Sequence, residues 1–171
     1  MNKTLVIYRS KTGFTERYAR WISEALSCDL AAYGDRKQRS FDSYDTILFG
    51  GWIHAGKIQG VKWFLSQAPK LEGKKLAIFA TGAAPAGSPG VSKAWEQNLT
   101  EEERDKIKTF YFQSGLSYER MGLPDRIMMS AFRAMLKKTE GDSEAYRMVQ
   151  RSFDCASKDA ILPLVEFCQE S

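Results

Sequence analysis

A short run between a strand-like and a helix-like segment has the residue types of an anion-binding loop. It consists of Ser10, Lys11, Thr12, Gly13, Phe14 and Thr15. The apolar run 3–8 before it predicts a buried strand, and the apolar spacing within 15–26 predicts a helix. The N–H groups at a helix start suit a phosphate, and Gly13 lets the backbone approach it closely. We expect Thr12 or Thr15 to cap this helix, and an ordinary capped turn is the alternative interpretation.

The spacing around this loop excludes three other kinds of phosphate site. A nucleotide-hydrolysing loop needs G-x-x-x-x-G-K-(S/T), and a dinucleotide site needs G-x-G-x-x-G, but neither pattern follows the first strand. A phosphatase with a thiolate nucleophile needs a cysteine in the loop, and there is none. The loop therefore predicts that a monophosphate is bound without being cleaved.

Alternating strand and helix patterns indicate the sheet that would position this loop. Further strands are predicted over 28–33, 45–51, 74–81 and 108–113, with helices over 60–68 and 156–168. Thr100 to Glu103 has the form of a capping box that opens a short acidic helix. This order indicates an α/β fold with a doubly wound parallel sheet, whose ligand lies at the carboxyl ends of the strands.

Length and composition are typical of one α/β domain over 1–171. No run approaches the roughly 20 apolar residues of a membrane span, and no secretory signal is visible. Cys28, Cys155 and Cys168 are odd in number and lack C-x-x-C spacing, which predicts reduced thiols in a cytoplasmic protein. With a single histidine, they predict no metal site. The formal charge of +4 gives no argument for nucleic acid.

The run 8–16 resembles the phosphate loop of the flavodoxins, which has the pattern (S/T)-x-T-G-x-T after the first strand. In that family the loop holds the 5′-phosphate of FMN. The resemblance implies FMN as the cofactor and a flavodoxin-like five-stranded parallel sheet in the order 2-1-3-4-5.

Two further loops follow the third and fourth predicted strands and supply the rest of the expected flavin site. The first contains Gly51, Trp52, Ile53, His54 and Ala55. Trp52 can form a flat wall for the flavin ring, and a partly buried structural aromatic is the alternative. His54 can contact the flavin or a substrate, although a solvated loop histidine is the favoured interpretation.

The loop after the fourth strand is the other expected part of the flavin site. It begins Thr81, Gly82, Ala83 and Ala84 and continues to Gly90 with small residues and prolines. Small residues let the backbone approach a planar ligand. Only the position of this loop distinguishes it from an ordinary Pro/Gly loop.

The chain after the fifth strand contains an amphipathic helix predicted over 123–138. Between residues 120 and 138 there are five basic residues and one acidic residue. Five of the six methionines fall within 121–148. The helix either packs on its own domain or forms a lid or docking element over the flavin edge, resting on anionic lipid or a partner protein.

The segments 115–118, 125–129 and 139–142 resemble the insertion of the menaquinone-dependent protoporphyrinogen dehydrogenases. Those are FMN proteins with a flavodoxin fold and an inserted segment before the last helix. The resemblance implies an insertion at about 116–152 within a single domain. The loop at 81–90 departs from that group because it lacks basic residues.

The two resemblances imply an FMN-binding oxidoreductase, with protoporphyrinogen dehydrogenase activity as the specific hypothesis. A flavodoxin-type electron carrier without its own substrate is the alternative, and a fold that has lost FMN is a third. No acid–base pair is evident, so no catalytic residue is assigned. A quinone, a porphyrinogen or a reductase would be the redox partner. The segment 120–138 would be the docking element, on a protein or at the inner face of the membrane.

Overall fold

A parallel sheet forms the centre of the computed structural model, which describes residues 2–170. The strands of this sheet are β1 (Thr4–Tyr8), β2 (Asp29–Ala32), β3 (Thr46–His54), β4 (Lys57–Ile58), β5 (Lys75–Gly82) and β6 (Lys108–Gln113). Five of them are parallel in the order β2-β1-β3-β5-β6, and β4 folds back antiparallel on β3. Counted without β4, this is the predicted order 2-1-3-4-5, and the flavodoxin-like fold is confirmed.

Helices cover both faces of the sheet. They are α1 (Phe14–Leu26), α2 (Val61–Gln67), α3 (Pro89–Asn98), α4 (Glu101–Lys106), α5 (Leu123–Glu140), α6 (Glu144–Met148) and α7 (Leu162–Gln169). Alternate residues of β1 point to opposite faces, because Leu5 and Ile7 pack with α2 whereas Val6 packs with α1 and α7. The core is therefore double, with one apolar cluster on each face of the sheet.

Proline positions account for two wrong helix predictions. Residues 89–98 were not predicted to be helical, yet Pro89 stands in the first turn of α3. The final helix was predicted from Ala156 with Pro163 in its interior. A 3₁₀ turn occupies Lys158–Ile161 instead, and Pro163 stands in the first turn of α7. Proline is tolerated there because the first helical N–H groups have no intrahelical acceptor.

The segment between β6 and α7 contains a second, two-stranded sheet, whose two strands flank a long insertion. Strand β7 (Gly115–Leu116) pairs antiparallel with β8 (Phe153–Asp154), so Leu116 lies opposite Phe153. Residues 117–152 lie between them and include α5 and α6. We call these residues the excursion. Neither α5 nor another helix within residues 2–170 is long and apolar enough to cross a membrane.

Candidate functional site

The strand–helix joint after β1 is open at the start of α1. Gly13 precedes the helix with φ 93°, a left-handed conformation that favours glycine. No side chain caps the helix, so the prediction that Thr12 or Thr15 would do so was wrong. The first N–H groups of any α-helix lack intrahelical acceptors. In this uncapped helix they are available to an anion.

Thr15 has a different role from the predicted cap. Its hydroxyl lies 2.8 Å from the hydroxyl of Thr81 at the carboxyl end of β5, and both residues are fully buried. A hydroxyl donates one hydrogen bond and accepts two, so Thr15 can accept from Thr81 and still donate to a ligand. This pair fixes the start of α1 against the neighbouring strand end.

Ser10 carries a buried hydroxyl at the beginning of the same loop. Its oxygen has no hydrogen-bond partner among residues 2–170. The residue lines a cavity of about 400 Å³ that it shares with Arg9, Lys11, Trp52 and other side chains. A buried polar atom without a partner is costly, and a phosphate oxygen would satisfy it.

Two ionic side chains of the excursion contact this loop from a distant part of the chain. Nη1 of Arg120 donates to the carbonyl of Thr12 at 3.0 Å, and a Cβ on Gly13 would lie only 2.6 Å from that nitrogen. The carboxylate of Asp125 lies 2.5 Å from Nζ of Lys11. Arg120 therefore adds a positive charge beside the uncapped helix start. Neither Arg120 nor Asp125 was among the predicted site residues.

The expected loop after the third strand is a β-hairpin. Strand β3 continues past its predicted end at Gly51 to His54, and β4 pairs with it. The two-residue turn has φ 48° at Ala55 and 77° at Gly56, as a type I′ turn requires. A Cβ on Gly51 would lie 2.4 Å from the carbonyl oxygen of Gln59, so glycine allows the chain to fold back here.

Asn98 at the end of α3 holds this hairpin in place. Its Oδ1 accepts from the N–H of Ile58 at 3.0 Å, and its Nδ2 donates to the carbonyl of Gly56 at 2.7 Å. The side chain thus bonds both β4 and the turn. The hairpin is therefore anchored at the edge of the sheet where the other site loops end.

A cavity of about 480 Å³ lies where these elements meet. This volume is within the roughly 300–1,000 Å³ range of small-molecule sites. Eleven predicted site residues line it: Lys11, Thr12, Phe14, Thr15, Trp52, Ile53, His54, Ala55, Thr81, Gly82 and Ala83. The excursion supplies an apolar wall that was not predicted residue by residue, formed mainly by Met121, Met128, Met129 and Phe132.

Four predicted site residues lie outside the lining of this cavity. Ser10 lines the neighbouring cavity described above, and Gly13 lines a cleft of about 780 Å³ beside Arg120. Gly51 is buried in the hairpin, and Ala84 is exposed. The carbonyl of Ala84 accepts a hydrogen bond of 2.6 Å from Tyr111, and burial raises the pKa of that phenol, which keeps it a donor.

The cavity contains few groups for acid–base chemistry. Within the described chain its ionisable lining residues are Lys11, His54 and Asp125, and two of these form the ion pair described above. No cluster of three or more metal-ligating side chains occurs within residues 2–170. The arrangement suits a ligand with one anionic end and one planar apolar end, since the helix start and Trp52 line the same cavity.

Comparison with known proteins gives a family for most of the chain. A profile described as a flavodoxin domain matches residues 5–144. An uncharacterized protein of Methanocaldococcus jannaschii is 31% identical over 113 residues, which cover 65% of this chain and 69% of that protein.

Solved structures with a similar fold include two bacterial proteins. A flavoprotein from Lactobacillus acidophilus, crystallised in complex with FMN, is 21% identical to this chain. The similar region covers 66% of this chain and 93% of that protein, with a TM-score of 0.48. The Trp repressor binding protein from Bacillus subtilis is 16% identical and covers 82% and 100% of the two chains, with a TM-score of 0.47.

Proposed function

The chain belongs to the flavodoxin domain family, and from this premise we propose that it binds FMN at the carboxyl edge of its sheet. The observation that carries the proposal is the uncapped start of α1, which meets an apolar cavity of about 480 Å³. Family membership alone supports the fold, whereas this arrangement supports the ligand, because it pairs an anion site with an apolar cavity that Trp52 lines.

Each part of the site has a role in this proposal. The first amides of α1 and the hydroxyls of Ser10, Thr12 and Thr15 would donate to the phosphate, and Arg120, which bonds the carbonyl of Thr12, would offset its charge. Trp52 and Ala83 line the cavity, where Trp52 would pack against the planar ring and Ala83 would let the backbone approach it. When bound, FMN would supply one- and two-electron transfer chemistry. The protein supplies orientation and the exclusion of water.

Purification of the protein tests this function directly. We expect it to be yellow, and to release FMN when denatured with acid. An apoprotein that takes up no FMN at micromolar concentration would contradict the proposal and both of the redox roles below.

The specific reaction that we propose is the oxidation of a porphyrinogen by the bound flavin. Its support is the resemblance of the segments at 115–118, 125–129 and 139–142, together with the apolar wall that the same excursion gives the cavity. Anaerobic addition of protoporphyrinogen to the FMN-loaded protein should bleach the flavin. Retention of the oxidised flavin spectrum would exclude this substrate.

An electron carrier is the second candidate, favoured by the scarcity of titratable groups at the cavity. Lys11 and Asp125 neutralise each other, which leaves His54 as the remaining ionisable lining residue of the described chain. A carrier needs no acid–base group and would exchange electrons only with redox proteins. Flavin reduction by a reductase, with no reduction by the porphyrinogen, would support the carrier over the enzyme.

A further inference from the structure

Helix α5 presents an apolar face to solvent. Leu123, Ile127 and Met135 are 71%, 62% and 51% exposed, and their spacing in multiples of four places them on one side of the helix. Met129 and Leu136, on the opposite side, are buried. Single exposed apolar residues are normal on protein surfaces, but a continuous stripe of them marks an interaction surface.

Positive charges flank this stripe. Helix α5 carries four basic residues, Arg126, Arg133, Lys137 and Lys138, and two acidic residues, Asp125 and Glu140. Asp125 is paired with Lys11 and is only 14% exposed, so it does little to offset the basic flank. Lys137 and Lys138 are exposed at the end of the helix. An exposed helix that combines an apolar stripe with basic residues is typical of helices that bind an anionic lipid surface.

We propose that α5 docks the protein on an anionic lipid bilayer, lying in the plane of the membrane surface. Leu123, Ile127 and Met135 enter the boundary between headgroups and acyl chains, and the lysines contact lipid phosphates. A second copy of the chain is a poorer occupant, because two α5 helices would bring their basic flanks together. The docking does not depend on the flavin and goes beyond the proposed function.

The location of α5 gives the docking a consequence for the cavity. Met128 and Phe132 are 38% and 39% exposed at the edge of the stripe, and both also line the cavity. The docked helix therefore brings the apolar wall of the site to the lipid surface, where an apolar redox partner would dissolve.

Vesicle flotation tests the apolar contribution. The full-length protein is mixed with vesicles of phosphatidylcholine alone or with added phosphatidylglycerol. The wild type should float with the anionic vesicles, and Ile127→Glu should lower its affinity about tenfold or more. Leu162→Glu is the matched control, since Leu162 is an exposed leucine (54%) in α7 and should leave flotation unchanged.

The charge contribution has its own variant. The double substitution Lys137→Gln and Lys138→Gln should lower affinity for anionic vesicles about tenfold, and should not change the weak binding to neutral vesicles. Because all substituted side chains are exposed, thermal unfolding should be the same for every variant.

Three results would overturn the proposal. They are no flotation of the wild type with anionic vesicles, equal flotation of wild type and Ile127→Glu, or loss of flotation with Leu162→Glu. Sedimentation equilibrium without lipid tests whether a second copy of the chain binds this face instead. A concentration-dependent dimer that Ile127→Glu abolishes would assign the face to a second copy of the chain.

Discussion

Arg120 is the residue that joins the excursion to the proposed phosphate site. It donates to the carbonyl of Thr12 and stands beside Gly13. Replacing it with methionine removes one charge-assisted contact to the phosphate and keeps the apolar stem. We expect Arg120→Met to weaken FMN binding about tenfold or more, and to leave riboflavin binding unchanged because riboflavin has no phosphate.

Fluorescence titration of the apoprotein with each flavin measures both affinities. Arg104→Met is the control. Arg104 lies in α4, which ends just before the amino end of β6, whereas the proposed site lies at the carboxyl ends of the strands. Equal loss of both flavins would assign Arg120 a structural role. No loss of either would place the phosphate elsewhere.

The buried hydroxyl pair of Thr15 and Thr81 makes a prediction about stability. Thr15→Val leaves the hydroxyl of Thr81 buried without its partner, and Thr81→Val does the reverse. Each single change should cost about 1–3 kcal/mol in the free energy of unfolding, and the double change should cost less than the sum. Urea unfolding of the apoprotein gives the three values.

Thr46→Val is the matched control for this pair. Thr46 is fully buried, yet its hydroxyl has no partner within the described chain. The same substitution there should be neutral or stabilising, since it removes an unsatisfied polar atom. Additive costs at Thr15 and Thr81, or an equal cost at Thr46, would contradict the assigned role of the hydrogen bond.

At the scale of elements, the sequence is most informative where apolar runs are continuous. The five parallel strands and the helix after the phosphate loop were predicted because their apolar periods are uninterrupted. Pro89 was predicted to lie in a loop, and Gly51 was predicted to end a strand. Pro89 opens α3, and Gly51 allows β3 to fold into a hairpin instead of ending it. Whether a proline or glycine ends an element depends on which atoms pack against its backbone in the folded protein, and the local sequence does not show this.

The same reason explains which part of the site could be predicted. Residues at or just beyond the carboxyl ends of strands, such as Thr12, Trp52 and Thr81, could be found by their positions relative to β1, β3 and β5. Arg120 could not, because it is separated by 108 positions from the loop that it contacts. The local excess of basic residues and methionines, together with the family resemblance of the segments around it, indicated that its segment could have a role.

The two-stranded sheet of β7 and β8 allows the excursion to be removed. Because Leu116 pairs with Phe153, an Asn-Gly turn can replace residues 117–152. We expect the shortened protein to unfold cooperatively, because both core clusters lie outside the excursion. It should bind FMN more weakly, since it lacks Arg120 and the methionine wall. Circular dichroism and flavin titration measure the two properties, and an unfolded product would show that the excursion is part of the core.

At the scale of the whole molecule, buried thiols should limit stability in alkali. Burial raises the pKa of Cys28 from its ordinary value of 9.0 to about 11, and that of Cys168 to about 12. Burial therefore keeps both thiols neutral in the folded state at pH values where the thiols of the unfolded chain ionise. The free energy of unfolding has its full value below pH 9. It falls as the pH rises through the folded pKa values, on the order of 1–2 kcal/mol for each thiol.

Urea unfolding at pH 8 and at pH 11 measures this loss. Cys168→Ala should reduce the difference between the two pH values, whereas Cys155→Ala should not, because Cys155 is exposed. Identical pH dependence of the wild type and Cys168→Ala would mean that the thiol titrates normally in the folded protein.

In the proposed site one loop holds a phosphate and the adjoining cavity holds a flavin ring. Titration of the apoprotein with FMN and with riboflavin tests it most directly, with flavin fluorescence as the signal. We predict one FMN per chain at micromolar or lower concentration, and riboflavin bound at least about tenfold more weakly because the phosphate contacts are absent. Equal affinity for the two flavins would mean that the loop does not bind the phosphate, and no binding of either would mean that the cavity is not a flavin site.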